Sequence, residues 1–180
     1  MNGRAWLDDV TKLYREHRKT CERAVAQVDD AGFFATPLRG DNSIAVVVKH
    51  VGGNMHSRWR DFLTSDGEKA DRRRDGEFET AGQTRAEVMA VWERGWTTTF
   101  AELERLTPAD LGKTVTIRGE PWTVLTAVHR NLLHVAYHAG QIVELARHAA
   151  GDAWQHLSVA RGESEAHNAA MRARFGDWNG

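Results

Sequence analysis

The sequence predicts an all-α protein, a four-helix bundle with one small β-hairpin set before its last long helix. Three observations carry this. Four long segments repeat apolar residues at steps of three and four. Good capping residues open two of them. One short alternating stretch, Thr114 to Arg118, is followed by the turn-forming Gly119-Glu120-Pro121.

The first helix is expected from Gly3 to about Val28, with Trp6, Val10, Leu13, Tyr14, His17, Cys21, Ala24, Val25 and Val28 on one face. Asp29-Asp30-Ala31-Gly32 ends it, and Phe33 to Asp41 is expected to be a loop. Asn42 and Ser43 can both cap a second long helix, from about Ile44 to Leu63. Its opening run, Ile44 to Val48, would suit a buried strand; the segment's length and Met55, Trp59, Phe62 and Leu63 favour a helix. Residues 65–83 hold six acids and four bases with almost no apolar residues. A loop this long is usually functional or disordered. Thr84-Arg85-Ala86-Glu87 has the capping-box pattern and starts a helix through Val88, Trp92, Trp96 and Leu103, stopped at Thr107-Pro108. Trp122-Thr123-Val124 is expected to pair back on Thr114–Arg118. The last long helix should run from about Thr123 to Ala150, ended by Gly151. The tail, 152–180, keeps Trp154, Leu157, Phe175 and Trp178 and is expected to pack on the bundle or a partner, with a short helix near Glu163 to Arg174.

With 180 residues, 41% hydrophobic and 27% charged, the chain reads as one globular domain, with a core over residues 3–151. A formal net charge of −1 gives no basic field for nucleic acid or an anionic membrane, and no apolar run has the length of a membrane span. The N-terminal stretch lacks an apolar core and a small-residue cleavage site, so no signal peptide is expected. The lone Cys21 fits a reducing compartment, and a cytoplasmic location is expected.

Nine histidines are many for this length. His134 and His138 lie four apart, so on a helix both rings share one face, about 6 Å apart along the axis. That spacing lets two imidazoles reach one ion. The same face continues the polar stripe Arg130, His134, His138, Gln141 on an otherwise apolar helix, and unpaired buried polar groups are costly. His50 sits among Val46, Val47, Val48 and Val51, with Asn54 at i+4, and is a natural third ligand from a facing helix. Gly52, Gly53 and Gly140 lie within three residues of these histidines and point to close backbone approach or a pocket wall. Three neutral nitrogens leave a coordination position open, as in catalytic zinc sites, and the set also suits nickel, iron or manganese. Val135 follows His134 where a zincin has glutamate, which excludes that type of metalloprotease.

His50, followed far downstream by His134-Val-Ala-Tyr-His138-Ala-Gly140-Gln141, resembles the DinB/YfiT-like superfamily, and the stretch from His50 to Phe78 looks like an uncharacterised branch of it. The likeness spans about residues 40–160. It implies an up-down-down-up four-helix bundle, commonly a homodimer, with His50, His134 and His138 as ligands of a divalent metal. Some relatives use bacillithiol, mycothiol or glutathione. Many carry arginine where this chain has Ala139, a departure that bears on anion or thiol recognition.

The function expected on these grounds is a metal-dependent transferase or hydrolase acting on a small molecule, with zinc or nickel as cofactor and a low-molecular-weight thiol as a candidate co-substrate. The alternative is a non-catalytic metal-binding stress-response or structural dimer. Asn54, Arg58, Arg130 and Gln141 are candidates to touch substrate or to orient the ligand rings. His56 and His148 are out of phase with the ligand pairs, and His17, His129, His156 and His167 lack partners at ligand spacing, so all six read as structural or surface residues. The Arg72-Arg73-Arg74 run reads as a solvated loop with local ion pairs. Cys21 and Trp59 read as core.

Overall fold

A computed structural model describes residues 2–38 and 40–176. Trp178 lies outside the described residues. The described residues are mostly helical, with one antiparallel two-stranded hairpin. The long helices are α1 (Gly3–Val25), α3 (Ile44–Trp59), α4 (Arg85–Arg105) and α5 (Val124–Ala150). Two shorter ones are α2 (Asp30–Phe34) and α6 (Ser164–Phe175). The strands are β1 (Thr114–Ile117) and β2 (Glu120–Thr123).

Each long helix starts where a side chain satisfies its free backbone N–H groups. Asn2 accepts from Arg4 and Ala5, Ser43 from Val46, and Thr123 from Thr126. Thr84 and Glu87 form the full reciprocal capping box. The β-branched run Ile44–Val48 is helical, as its length argued. α3 is the central helix, packing on α4, α5 and α2, while α1 packs on α5 and α4. Tyr14, Trp59, Trp92 and Trp96 are fully buried between them, with edge-to-face ring contacts at 5.3–6.2 Å.

Several boundaries differ from expectation. α1 stops at Val25 rather than Val28, because Asp29 does not merely end a helix. It caps α2, accepting from Gly32 N–H, and α2 drives Phe33 into the core. α3 stops at Trp59 rather than Leu63: Arg60 is extended and Asp61 takes φ 51°. Phe62 is nonetheless buried. The hairpin turns one residue earlier than expected, at Arg118-Gly119, both with positive φ (58° and 78°). That is the backbone a two-residue hairpin turn needs. Pro121 therefore lies inside β2, opposite Thr116, tolerated because a two-stranded sheet has only edge strands. In the tail, Trp154 and Leu157 pack on the core, held by Arg23 to Leu157 O and Gln27 to Gln155. Phe175, on the exposed α6, does not.

Residues 65–83 form an ordered segment tied to the hairpin. Gly67 N–H donates to Thr116 O, and the Gly67 carbonyl accepts from Ser57 and Arg58. Asp66 accepts three backbone N–H bonds, from Glu68, Arg118 and Gly119. Burial pushes its carboxyl up, but these bonds outweigh that and hold it well below the ordinary value. A depressed carboxylate adds stability above its ordinary value near 3.8 and loses it as pH falls through the depressed one. Asp66→Asn is thus expected to lower stability by about 1 kcal/mol at pH 7, given its partial exposure. Thermal melts should show that gap closing in strong acid; a gap independent of pH would contradict the assignment.

Candidate metal centre

α5 turns His134 and His138 onto one face, as their spacing requires. α3 packs against α5 and brings His50 to the same point. One ring nitrogen from each of the three lies within 4.8 Å of the others. The ring centroids are 5.3 Å apart for His50–His134, 5.0 Å for His50–His138 and 4.6 Å for His134–His138. His50 is buried, and the other two are half-buried.

Tautomers follow from the hydrogen bonds. His50 Nδ1 lies 2.9 Å from Glu77 Oε2. Burial pushes Glu77 up, but its bonds to His50 and Arg72 outweigh this and hold it below the usual carboxylate range. An ionised carboxylate can only accept, so His50 Nδ1 carries a proton and Nε2 is the nitrogen turned toward the other two rings. His138 Nδ1 is likewise 3.0 Å from Gln141 Oε1, an acceptor, which leaves its Nε2 bare. His50 Nε2 faces His134 Nε2 at 3.3 Å. Two nitrogens on one tetrahedral ion, with bonds of about 2.0–2.1 Å, sit about 3.3 Å apart. Burial, then the neighbouring rings of His138 and His50, push His134 down to about 3, so the ring is neutral near pH 7. Burial lowers His138 too. His134 Nδ1 is buried without a hydrogen-bond partner among the described residues. Three converging imidazoles, two of them with Nδ1 held by an acceptor, suit a divalent cation.

The Glu77 support is itself buried. Arg72 grips the carboxylate with two bonds, Nε to Oε1 and Nη2 to Oε2, both 2.8 Å. The Arg72, His50 and Glu77 side chains are 4%, 7% and 8% exposed. The expectation of a solvated Arg72-Arg73-Arg74 run is therefore wrong for Arg72. The buried carboxylate draws in the guanidinium, and Glu68 adds a second partner. Gly53 makes this possible: a Cβ there would lie 2.6 Å from Glu77 Oε1. Gly52 serves another purpose, the close approach of α3 to α4. Gly140 meets nothing within 4 Å, so no pocket wall explains it.

Beside the histidines lies a cavity of about 200 Å³, lined by His50, His134, Asn54 and five arginines, 58, 72, 74, 118 and 130. Asn54 faces it, but its Oδ1 accepts from Asn131 rather than from one of the three histidine rings. Asn131 also accepts from Trp59 Nε1 and bonds Tyr14. Arg58 is buried and bonds Gly67 O and Glu68, with Nε left unpartnered among the described residues. Arg130 is exposed and lies over the Trp122 ring at 5.5 Å. Gln141 contacts His138 away from this cavity.

The family model described as "Protein of unknown function (DUF1572)" matches residues 1–163. The chain belongs to the DUF1572 family. It matches no curated protein and no solved structure.

In this DUF1572 chain, sequence reasoning missed Glu77, Arg72, Glu68 and Asn131. Asn131 was the accessible one, three residues before His134 on a helix already read as polar-striped. Glu77 sits in an aperiodic segment, where nothing local says which of six acids turns inward. The nearest signal is Gly53, a small residue three positions from His50 with no helical reason to be there.

Proposed function

We propose that this chain binds a divalent metal ion, zinc or nickel, through His50, His134 and His138, and is a metal-dependent enzyme acting on a small anionic molecule. One observation carries the reading: three imidazole nitrogens converge within 4.8 Å, with Glu77 and Gln141 positioned to orient two of the rings. A divalent ion held there lowers the pKa of a bound water or thiol and so supplies a nucleophile for transfer or hydrolysis. Arg58, Arg118 and Arg130 in the cavity lining favour a negatively charged substrate, a carboxylate or a thiol-bearing peptide among them.

The reading includes the DinB-like bundle. The contacts of α1 with α5, α5 with α3, α3 with α4 and α4 with α1 form a closed ring that supports it. It also includes a homodimer, supported by the exposed Leu133 and Tyr137, one turn apart on α5. No helix among the described residues is long and apolar enough to cross a membrane. The buried, unpaired thiol of Cys21 supports a reducing cytoplasm.

Elemental analysis of untagged protein is the test. About one zinc or nickel per chain is expected, and His134→Ala or His138→Ala should remove it. Protein without bound metal after reconstitution, or full occupancy in either variant, would refute the reading.

A further inference from the structure

α3 and its C-cap residue, Arg60, carry a second polar stripe. Lys49, Gly53, His56 and Arg60 recur at steps of four, three and four, and His56 is turned about 240° around the helix from His50. This stripe faces a different cavity, about 520 Å³, between α3, α4 and the 65–83 segment. The wall it shares with the metal centre is built from Gly53, Arg72 and Glu77.

The charges here do not balance. With the mutually paired Arg72 and Glu77 set aside, Lys49, Arg60, Lys69, Arg73 and Arg94 line the cavity against a single acid, Asp71. Asp71 pairs with Arg60. Lys49 donates to Glu79 O and Gln83 Oε1, and Lys69 to Asp66 O; these acceptors are neutral, so neither lysine forms an ion pair among the described residues. The Arg73 and Arg94 side chains make no hydrogen bond or ion pair among the described residues. Burial, then Arg94 and Arg60, hold His56 below its ordinary value, and burial with Arg60 lowers Lys69. On a chain whose net charge is −1, so many cations around one cavity form a local positive field.

We propose that this cavity is a binding site for a small polyanion carrying phosphate or carboxylate groups. Its volume lies in the range of small-molecule sites. Guanidinium forks from two sides, Arg73 on the 65–83 segment and Arg94 on α4, suit planar or tetrahedral oxyanions, and Val91 supplies an apolar wall. The site uses none of the three candidate ligand histidines, so it stands or falls apart from the metal reading.

Calorimetric titration of the full chain with inorganic pyrophosphate, and separately with citrate, at fixed ionic strength tests it. Saturable binding of either probe is expected, and the preferred probe names the group recognised. The double variant Arg73→Gln/Arg94→Gln should weaken that binding roughly tenfold or more. Both side chains are exposed and unpaired, so the fold should survive the change. Both probes chelate metal, so His134→Ala is the control, and it should bind with unchanged affinity. No saturable binding of either probe, undiminished affinity in the double variant, or loss of binding in His134→Ala would each overturn the proposal.

Discussion

Glu77→Ala is expected to cost about 3–5 kcal/mol of stability, read as a lower urea midpoint at neutral pH. The reason is the partner left behind. Arg72, with its side chain 4% exposed, would lose both of its 2.8 Å bonds to the carboxylate and keep only the more exposed Glu68. Removing one member of a buried pair leaves an uncompensated charge. His50 Nδ1 would lose its acceptor in the same step. Losing such a support lowers metal affinity about 10–100-fold.

Two further variants separate the effects. Glu77→Gln keeps an oxygen that can accept from His50 but removes the charge facing Arg72, so stability should fall more than metal affinity. Gly53→Ala leaves Glu77 in the chain but sets a methyl 2.6 Å from Oε1, so the carboxylate must shift and metal affinity should drop. A Glu77→Ala protein with wild-type urea midpoint and metal content would show that the buried relay does neither job.

The second large effect is expected at the crossing of α3 and α4. A Cβ on Gly52 would lie 2.6 Å from Val91 O and 2.8 Å from the Trp92 backbone, and one on Gly95 would lie 2.5 Å from Gly52 O. These are backbone atoms, which cannot rotate away as a side chain can. Helix propensity alone favours alanine over glycine by about 1 kcal/mol. Here the clash should win, because the helices must separate and loosen Trp92 and Trp96, both fully buried at this contact. A net loss of about 3 kcal/mol is expected for Gly52→Ala or Gly95→Ala. The double variant should lose less than the sum, since one separation relieves both clashes. Gly140→Ala is the contrast: with nothing within 4 Å, it should gain up to about 1 kcal/mol. Chemical denaturation of the four proteins checks all of this. Stabilisation by Gly52→Ala would mean that the helices do not meet this closely.

The four long helices were legible because their signal is local. Apolar residues at 3.6-residue spacing, the Thr84–Glu87 box and the Ser43 cap act within a turn or two of themselves. The same locality put His134 and His138 on one face. His50 was legible for a different reason: a polar ring in a valine run is costly unless something receives it. The glycines at 52 and 53 marked a close approach, but not what came close. One proved to face a helix backbone and the other a carboxylate.

What the tertiary structure decided lies mainly in residues 65–83. An aperiodic charged segment gives no register, so the sequence could not say that Glu77 and Arg72 would be buried while Asp75 and Arg73 stayed exposed. Burial there is settled between partners distant in the chain. Glu77 is acceptable inside only because Arg72 and His50 meet its oxygens, and its place exists only because Gly53 lacks a side chain. The helices and the histidine pair follow from near-neighbour physics. The third histidine's setting and the second, cationic cavity follow from which charges neutralise one another once the chain has closed.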